Sequence, residues 1–319
     1  MKTREMTEAA MLSALFVVMT IIAITTGIAY SLYLDMVVPI IISLIYLRCG
    51  FKYTVLSAIT SLLIIVLGLG DIISGIWMSQ SILLGFICGI FIQKEGSVID
   101  NIVYCSILGC ILMIFIDIYF STLTGYSFIK ESEGYGVRLS NWAINPQVII
   151  YILVACLPAG TVVITYFGTM VLGNKLNLLN QYGKNKFMLI KNFRKYSYYI
   201  CCSRKITAIG VTYLAVLGIL ELFNYHINIP YINTVVMAVK YIFLYVIIKD
   251  SHSFIGKYIY MKTKSKKLFT LAGLGILALL IIRFKITTCI MILCSSFINL
   301  SLNMREKQIK MLKENVLVV

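Results

Sequence analysis

The sequence predicts an all-α, polytopic membrane protein, with a six-span N-terminal bundle, about four further spans and both termini in the cytoplasm. Composition is the first reason: 60% of the 319 residues are hydrophobic and 13% are charged, whereas soluble domains carry roughly 25% charged residues. The mean hydropathy of +0.93 is the second reason. The third is the placement of the cations, which cluster at the ends of long apolar runs.

Ten apolar runs are candidates for spans, because a membrane-crossing helix needs about 20 apolar residues, or fewer where the bilayer thins. In chain order they are Thr7–Ala29, Leu34–Leu47, Tyr53–Leu69, Ile72–Ile92, Val98–Leu123, Pro146–Leu172, Ile206–Phe223, Tyr231–Ile248, Leu268–Ile282 and Ile286–Leu302. Arg283 and Lys285 are the reason to divide the last apolar stretch in two. That stretch is either a hairpin or one broken helix.

The loop charges predict the orientation. With the amino terminus inside, the inner segments hold most of the 28 Lys and Arg residues. The outer segments hold Lys130, Arg138, Arg283 and Lys285 alone. Cytoplasmic loops carry such an excess of cations. We therefore expect both termini in the cytoplasm, an even number of spans, and a location in the bacterial cytoplasmic membrane.

The stretch from Asn174 to Lys205 is the longest polar interval and holds eight of the 28 basic residues without an acid. At 100° per residue, its apolar side chains and its cations fall on opposite sides of a helix. This pattern is typical of a helix that lies in the lipid headgroup layer; a cytoplasmic helix packed on protein is the alternative. The apolar side comprises Leu189, Phe193, Tyr196 and Ile200, and the predicted lipid-facing cations are Lys184, Lys191, Arg194 and Lys195.

Four segments follow from these patterns. Residues 1–173 form the six-span membrane domain, and 174–205 form the basic interfacial helix and linker. Residues 206–304 form a C-terminal membrane domain of about four spans, and 305–319 form a basic cytoplasmic tail.

Ionisable groups inside the apolar runs are functional candidates, because a charge in lipid is costly. Asp117 lies about six residues inside the outer end of the fifth run. A carboxylate at that depth needs a partner, a cavity or a proton. Glu221 and Lys240 lie in the outer halves of two consecutive runs. They form either a structural ion pair or part of a proton or ion pathway.

Residues 124–145 form the one long outer connection, which is rich in Gly, Ser and charge. A long loop over a helical bundle is a candidate lid; a disordered connector is the alternative. Polar and aromatic residues near this end belong either to an interfacial aromatic belt or to a solute pocket that opens outward. The candidate substrate-binding residues are Trp77, Gln80, Asp117, Asn141 and Trp142.

Sequence motifs for catalysis are missing. The sequence contains no GxxxxGK[ST], GxGxxG or HExxH, so we expect no nucleotide-hydrolysing engine within this chain. The nine cysteines form no CxxC and there are two histidines, so we expect no metal, cofactor or disulfide framework. Neither paired carboxylates nor a nucleophile–base spacing point to an enzyme. The net charge of +15 follows the membrane-flanking clusters, and we expect no nucleic-acid partner.

Small residues open the first apolar run. Ala10 and Ala14 stand one turn apart with Ser13 beside them, a spacing that lets helices pack closely in lipid. A short basic amino terminus followed by this spacing, in the first of six spans, resembles the substrate-binding S components of energy-coupling factor transporters. The resemblance implies that residues 1–173 bind a vitamin-like micronutrient from outside. It also implies that Ala10 and Ala14 dock on a transmembrane coupling subunit that carries two ATPases.

The whole chain is similar to the YybS-like family of uncharacterised bacterial membrane proteins, found in Firmicutes. The first half of that family looks related to S components. The spans after Ile206 are additional to an ordinary S component. The resemblance therefore implies that the added half replaces the coupling subunit, covers its docking face or serves another role.

Three functions follow from these patterns. The first is solute binding by the N-terminal half, for uptake energised by a separate partner. The second is a non-transporting scaffold whose basic inner face recruits cytoplasmic partners or anionic lipid. The third is a secondary transporter driven by protons, with Asp117 or Glu221 as the titrating group. Many such transporters have two inverted halves, which the division into six and four spans does not favour.

Overall fold

The computed structural model describes residues 2–27, 30–125, 127, 129, 146–196, 200–223, 229–303, 305–307 and 310. Throughout these residues the regular structure is helical. Within the described part of the chain, seven helices are long and apolar enough to cross a membrane, and two shorter apolar helices follow them. This is the make-up of a multi-pass helical membrane protein, because a helix satisfies its own backbone polar groups in lipid.

Twelve helices are numbered here in chain order among the described residues. They are α1 (Lys2–Thr26), α2 (Tyr30–Leu32), α3 (Val38–Leu69), α4 (Ile72–Gln93), α5 (Val98–Thr124), α6 (Pro146–Lys175), α7 (Gln181–Lys191), α8 (Phe193–Tyr196), α9 (Arg204–Leu222), α10 (Pro230–Thr263), α11 (Lys266–Ile282) and α12 (Phe284–Leu302). A π-helical turn, Tyr33–Val37, leads from α2 into α3.

The chain forms two compact units. The first comprises Met1–Lys191 and Ile229–Val239, and the second comprises Asn192–Asn228 and Lys240–Val319. The boundary after Lys191 falls inside the predicted linker 174–205, so that segment is shared between the units. Helix α10 likewise begins in the first unit and continues in the second.

The helical run from Tyr33 to Leu69 folds back on itself at Gly50. Gly50 has φ +78° and ψ −179°, a backbone conformation that is open essentially to glycine alone. A straight helix of 37 residues would separate its ends by about 55 Å. Instead, Tyr30 before the run and Ser74 after it share a hydrogen bond of 2.5 Å. The reversal falls between the predicted runs Leu34–Leu47 and Tyr53–Leu69.

Helix α1 packs antiparallel to the first arm of this hairpin. At one end, Thr20 Oγ1 and Tyr33 Oη are 2.9 Å apart. At the other end, the guanidinium of Arg48 donates to both carboxylate oxygens of Glu8, at 2.7 and 3.0 Å. Phe16, which is fully buried, lies in the apolar core between these two polar contacts.

Helices α3 and α4 approach each other closely at Gly85. A Cβ atom at Gly85 would lie 2.7 Å from the Cα of Pro39, so a larger residue would force the two backbones apart. Dispersion between closely spaced backbones is a main source of helix association in lipid. This contact fixes α4, which carries Trp77, against the hairpin.

In the second unit, α11 and α12 form an antiparallel pair that turns at Arg283. The Cβ positions of Gly256 and Gly273 approach Phe269 and His252, respectively. Along α12, by contrast, Ser295 bonds Ser251 at 3.0 Å, and the later Ile298 packs with Phe254. The two helices therefore pass the same part of α10 in opposite directions. Of the two interpretations of this stretch, the hairpin is the one observed.

The predicted interfacial helix of the basic stretch is divided in the structure. Helix α7 ends at Lys191, and a separate short helix, α8, begins at Phe193. The carbonyl of Asn192 accepts the backbone N–H groups of Lys195 and Tyr196, which starts a new turn, and asparagine favours such helix ends over helix interiors. Phe193 is 59% exposed, whereas Leu189 and Tyr196 are buried, so the predicted apolar side packs on protein over part of its length only.

Candidate solute site in the first unit

Helix α5 carries Asp117 into the interior of the first unit. The side chain is only 5% exposed, although it belongs to one of the most apolar helices of the chain. Ser127, just beyond the C-terminal end of α5, donates its hydroxyl to Asp117 Oδ2 at 2.7 Å. The start of the long connection therefore folds back onto the carboxylate, and a buried carboxylate requires such donors.

Aromatic rings form the wall beside this carboxylate. Trp77 on α4 and Phe120 on α5 have ring centroids 5.4 Å apart. Both rings line a small cavity together with Asp117, Met113 and Ile116. The cavity volume is about 10 Å³, which is room for roughly one water molecule. A micronutrient would enter only if the aromatic wall moved.

The end of the bundle near Trp77 is fixed by a polar cluster at the start of α4. Asp71 accepts the Ser74 N–H at 3.2 Å and also accepts the Ser74 hydroxyl. These bonds lower the pKa of the Asp71 carboxyl. The same Ser74 hydroxyl contacts Tyr30. Asp71 is therefore a helix cap, and the cluster ties the beginning of the Gly50 hairpin to its end.

The remaining predicted substrate-binding residues are placed differently. Gln80 is half-buried on α4, but it does not line the cavity beside Asp117. Asn141 and Trp142 lie outside the described residues. Of the five predicted residues, Trp77 and Asp117 are the two that the structure brings together.

The predicted docking residues Ala10 and Ala14 lie on the exposed side of α1. The neighbouring Ala9 and Ser13 are buried instead, against the hairpin. Leu15, which is 58% exposed, extends the same exposed face. Ala10 and Ala14 therefore belong to an exposed face of α1, on which the larger Met11 and Leu15 flank them.

The four predicted lipid-facing cations are all exposed. Lys184 and Lys191 lie on α7 in the first unit, and Arg194 and Lys195 lie on α8 in the second.

In the second unit, Lys240 donates a hydrogen bond to Glu221 Oε1, so the structure brings this predicted pair together as an ion pair.

One charged residue of the basic stretch is buried, which the sequence analysis missed. Lys186 on α7 is 4% exposed, and its Nζ donates to the carbonyls of Phe91 at 2.8 Å, Ile92 at 3.1 Å and Lys94. Burial lowers the pKa of Lys186 to about 8. The sequence offered one signal for this burial. Lys186 and Leu189 are three residues apart, so they lie on the same side of α7 as each other, and Leu189 is an apolar residue that is expected to pack inward.

A second missed group is the buried ion pair of Asp250 and Arg305 in the second unit. The two side chains are 2.6 Å apart, and both are buried. Arg305 also donates to the carbonyl of Cys202 at 2.7 Å and to Thr207 at 3.1 Å. The start of the predicted cytoplasmic tail is thus bonded into the second unit.

Comparison of the chain with protein-family models, with curated proteins and with solved structures found no match. The candidate site therefore rests on its own geometry: a buried, hydrogen-bonded carboxylate beside two aromatic rings in an apolar helical unit.

Proposed function

We propose that the first unit binds a small, partly polar solute at Asp117, in a multi-pass protein of the bacterial cytoplasmic membrane. The observation that carries this proposal is the buried Asp117 carboxylate beside Trp77, closed over by Ser127. Charged groups at such depth are costly and usually mark solute or ion pathways. A ligand with a cation or hydrogen-bond donor would displace Ser127 and stack on the aromatic wall.

Solute extraction tests this proposal. The full-length protein is purified gently from its native host and denatured, and mass spectrometry identifies the small molecules that are released. We expect one compound to be enriched with wild-type protein and lost with Asp117→Asn.

The matched control is Asp100→Asn, on the same helix. Asp100 is also buried, but it lies about 26 Å away along α5, so its replacement is expected to leave the enrichment unchanged. No enriched compound, or equal loss in both variants, would contradict solute binding at Asp117.

The proposed energising partner is a transmembrane coupling subunit with ATPases, docked on Ala10 and Ala14. Their exposure on α1 supports a helix-docking face, because small residues permit close helix contact. Ala10→Leu and Ala14→Leu are expected to abolish co-purification of such a subunit from the native host. Ala278→Leu, at an exposed position of α11, is the control that keeps it. Recovery of the subunit with all three variants would exclude this docking face.

Recruitment by the basic surface is the second candidate function. It is favoured by the exposure of Lys184, Lys191, Arg194 and Lys195, since cations near the membrane attract anionic lipid or acidic partners. Charge reversal at Lys191, Arg194 and Lys195 separates the two functions. If the charge-reversed variant loses partner recruitment but keeps solute uptake, the scaffold function is favoured. If it keeps both, the scaffold function is excluded.

A further inference from the structure

The second unit contains a cavity of about 220 Å³ between α10 and α11. Its walls are mostly apolar, formed by Phe269, Leu274 and Leu277, with His252 as the titratable side chain. The volume is smaller than the roughly 300–1,000 Å³ of sites for drug-sized ligands. The cavity therefore fits a small molecule or one end of a longer one.

His252 lines this cavity and carries an unused hydrogen-bonding atom. Its Nε2 is buried and has no hydrogen-bond partner within the described part of the chain. Buried polar atoms in native proteins are paired in the great majority of cases. A neutral imidazole can donate or accept through this nitrogen, according to its tautomer. A single oxygen or nitrogen atom of a bound molecule is enough to supply this missing partner.

Two glycines, Gly256 and Gly273, line this cavity. A Cβ atom at Gly273 would lie 3.4 Å from His252 Nε2, so a side chain longer than that of alanine would press on the imidazole and enter the cavity. At Gly256, a Cβ atom would lie 2.7 Å from the ring of Phe269. Gly256 therefore lets the Phe269 ring pack against α10 as one wall of the cavity.

The surroundings indicate that the cavity opens toward lipid. Leu274 and Leu277 are 60% and 50% exposed, and they lie on an apolar helix that begins at Lys266. Gly273 is seven residues beyond that cation, or about 10 Å along the helix. His252 itself follows Lys249 by three residues. Such cations typically flank the membrane surface, so the imidazole stands near the level where a membrane amphiphile carries its polar group.

We propose that this cavity binds a neutral, lipid-soluble molecule with one hydroxyl or carbonyl group, which bonds His252 Nε2 while the apolar part lies against Phe269 and Leu277. The site is independent of the solute site proposed in the first unit, because all of its lining residues belong to the second unit.

Photolabelling with a diazirine derivative of decanol tests the proposal on the full-length protein in lipid vesicles. We expect saturable labelling on α10 and α11 around the cavity, competed by unlabelled decanol about fivefold better than by decane, as expected for one hydrogen bond. Gly273→Leu is expected to abolish the saturable labelling. His252→Phe keeps the cavity walls apolar and is expected to remove the preference for decanol over decane.

Gly275→Leu is the matched control, because a Cβ atom there would meet no atom within 4 Å; it adds the same side chain to the same helix and is expected to label like the wild type. Thermal unfolding of each variant checks that the fold is retained. Labelling that does not saturate, labelling that Gly273→Leu leaves intact, or equal competition by decanol and decane would overturn the proposal.

Discussion

Lys186 Nζ lies 2.8 Å from the carbonyl oxygen of Phe91, so a buried ammonium closes the C-terminal end of α4. The last carbonyls of a helix lack partners within the helix, and a cation at that end also meets the negative end of the helix dipole. Lys186 bonds Ile92 and Lys94 as well. This contact attaches α7 to α4, the apolar helix that carries Trp77.

Replacing Lys186 by Met is expected to lower the free energy of unfolding by about 1–3 kcal/mol, because buried carbonyls lose their donor. Denaturation of the detergent-solubilised protein, followed by circular dichroism, measures the change. Lys184→Met, on the exposed side of the same helix, is expected to change it by less than about 0.5 kcal/mol. Equal effects of the two substitutions would contradict the cap.

The pH dependence of this difference is a second readout of the same contact. Burial lowers the pKa of Lys186 to about 8 in the folded protein, from the ordinary value of 10.5. Between these values the unfolded chain binds more protons than the folded one, so stability rises with pH. The wild type is therefore expected to gain stability relative to Lys186→Met between pH 8 and about 10.5, and a constant difference would contradict the burial of the amine.

Gly50→Ala is expected to cost about 1–3 kcal/mol of stability, because alanine is strained at the observed φ of +78°. Gly68→Ala is the control: Gly68 is helical and a Cβ atom there meets no atom within 4 Å, so alanine is expected to stabilise by up to about 1 kcal/mol. Thermal melting of both variants compares them. A Gly50→Ala variant as stable as Gly68→Ala would argue against the reversal.

Hydropathy predicts the positions of the long apolar helices well, and the reversal at Gly50 is an example. The apolar runs on each side of Gly50 are separated by Arg48 and Lys52, so the charges that divide the runs also flank the reversal. The run beginning at Tyr231 was predicted to end at Ile248, yet α10 continues to Thr263. Helix length beyond the apolar part depends on tertiary contacts, and Phe254, which is fully buried, provides such a contact.

The charged contacts were harder to predict. Lys186 and the exposed Lys184 lie two residues apart in the same basic stretch. Helical spacing places only Lys186 on the side of Leu189, but the α4 carbonyls that it meets are more than 90 residues away in the sequence. Arg305 likewise opens a tail of cations, and its partner Asp250 is 55 residues away. Asp117 and Trp77 were predictable as polar and aromatic residues near one end of the bundle, but the small size of their cavity was not, because side-chain packing determines it.

Asp250→Asn is expected to destabilise the protein by about 3–5 kcal/mol, because the buried Arg305 loses its counter-charge. The exposed pair of Arg204 and Glu306, at 3.7 Å, provides the control. Glu306→Gln is expected to cost at most about 1 kcal/mol. Chemical denaturation distinguishes the two, and similar small effects would mean that the Arg305 pair is not buried in the folded protein.

Exchanging the charges of Glu221 and Lys240 separates an ion pair from a proton pathway. Glu221→Lys alone is expected to lower the melting temperature by several degrees, since roughly 1 kcal/mol corresponds to about 2–4 °C in a large domain. Adding Lys240→Glu is expected to restore most of this loss, because the pair re-forms in reverse. If the double variant is stable but loses proton-driven uptake, Glu221 acts as a titrating group, and the structural interpretation is wrong.

Fluorescence of Trp77 tests the central claim most directly, because this ring lies beside Asp117 and the chain has two tryptophans. In a Trp142→Phe background that still co-purifies the solute, Trp77 is the sole indole reporter. The small-molecule fraction released from the native protein is titrated into this variant after the bound solute has been removed. We expect a saturable change in Trp77 emission, and we expect this change to disappear when the substitution Asp117→Asn is introduced as well. An unchanged emission, or an equal response without the Asp117 carboxylate, would contradict a solute site at this position.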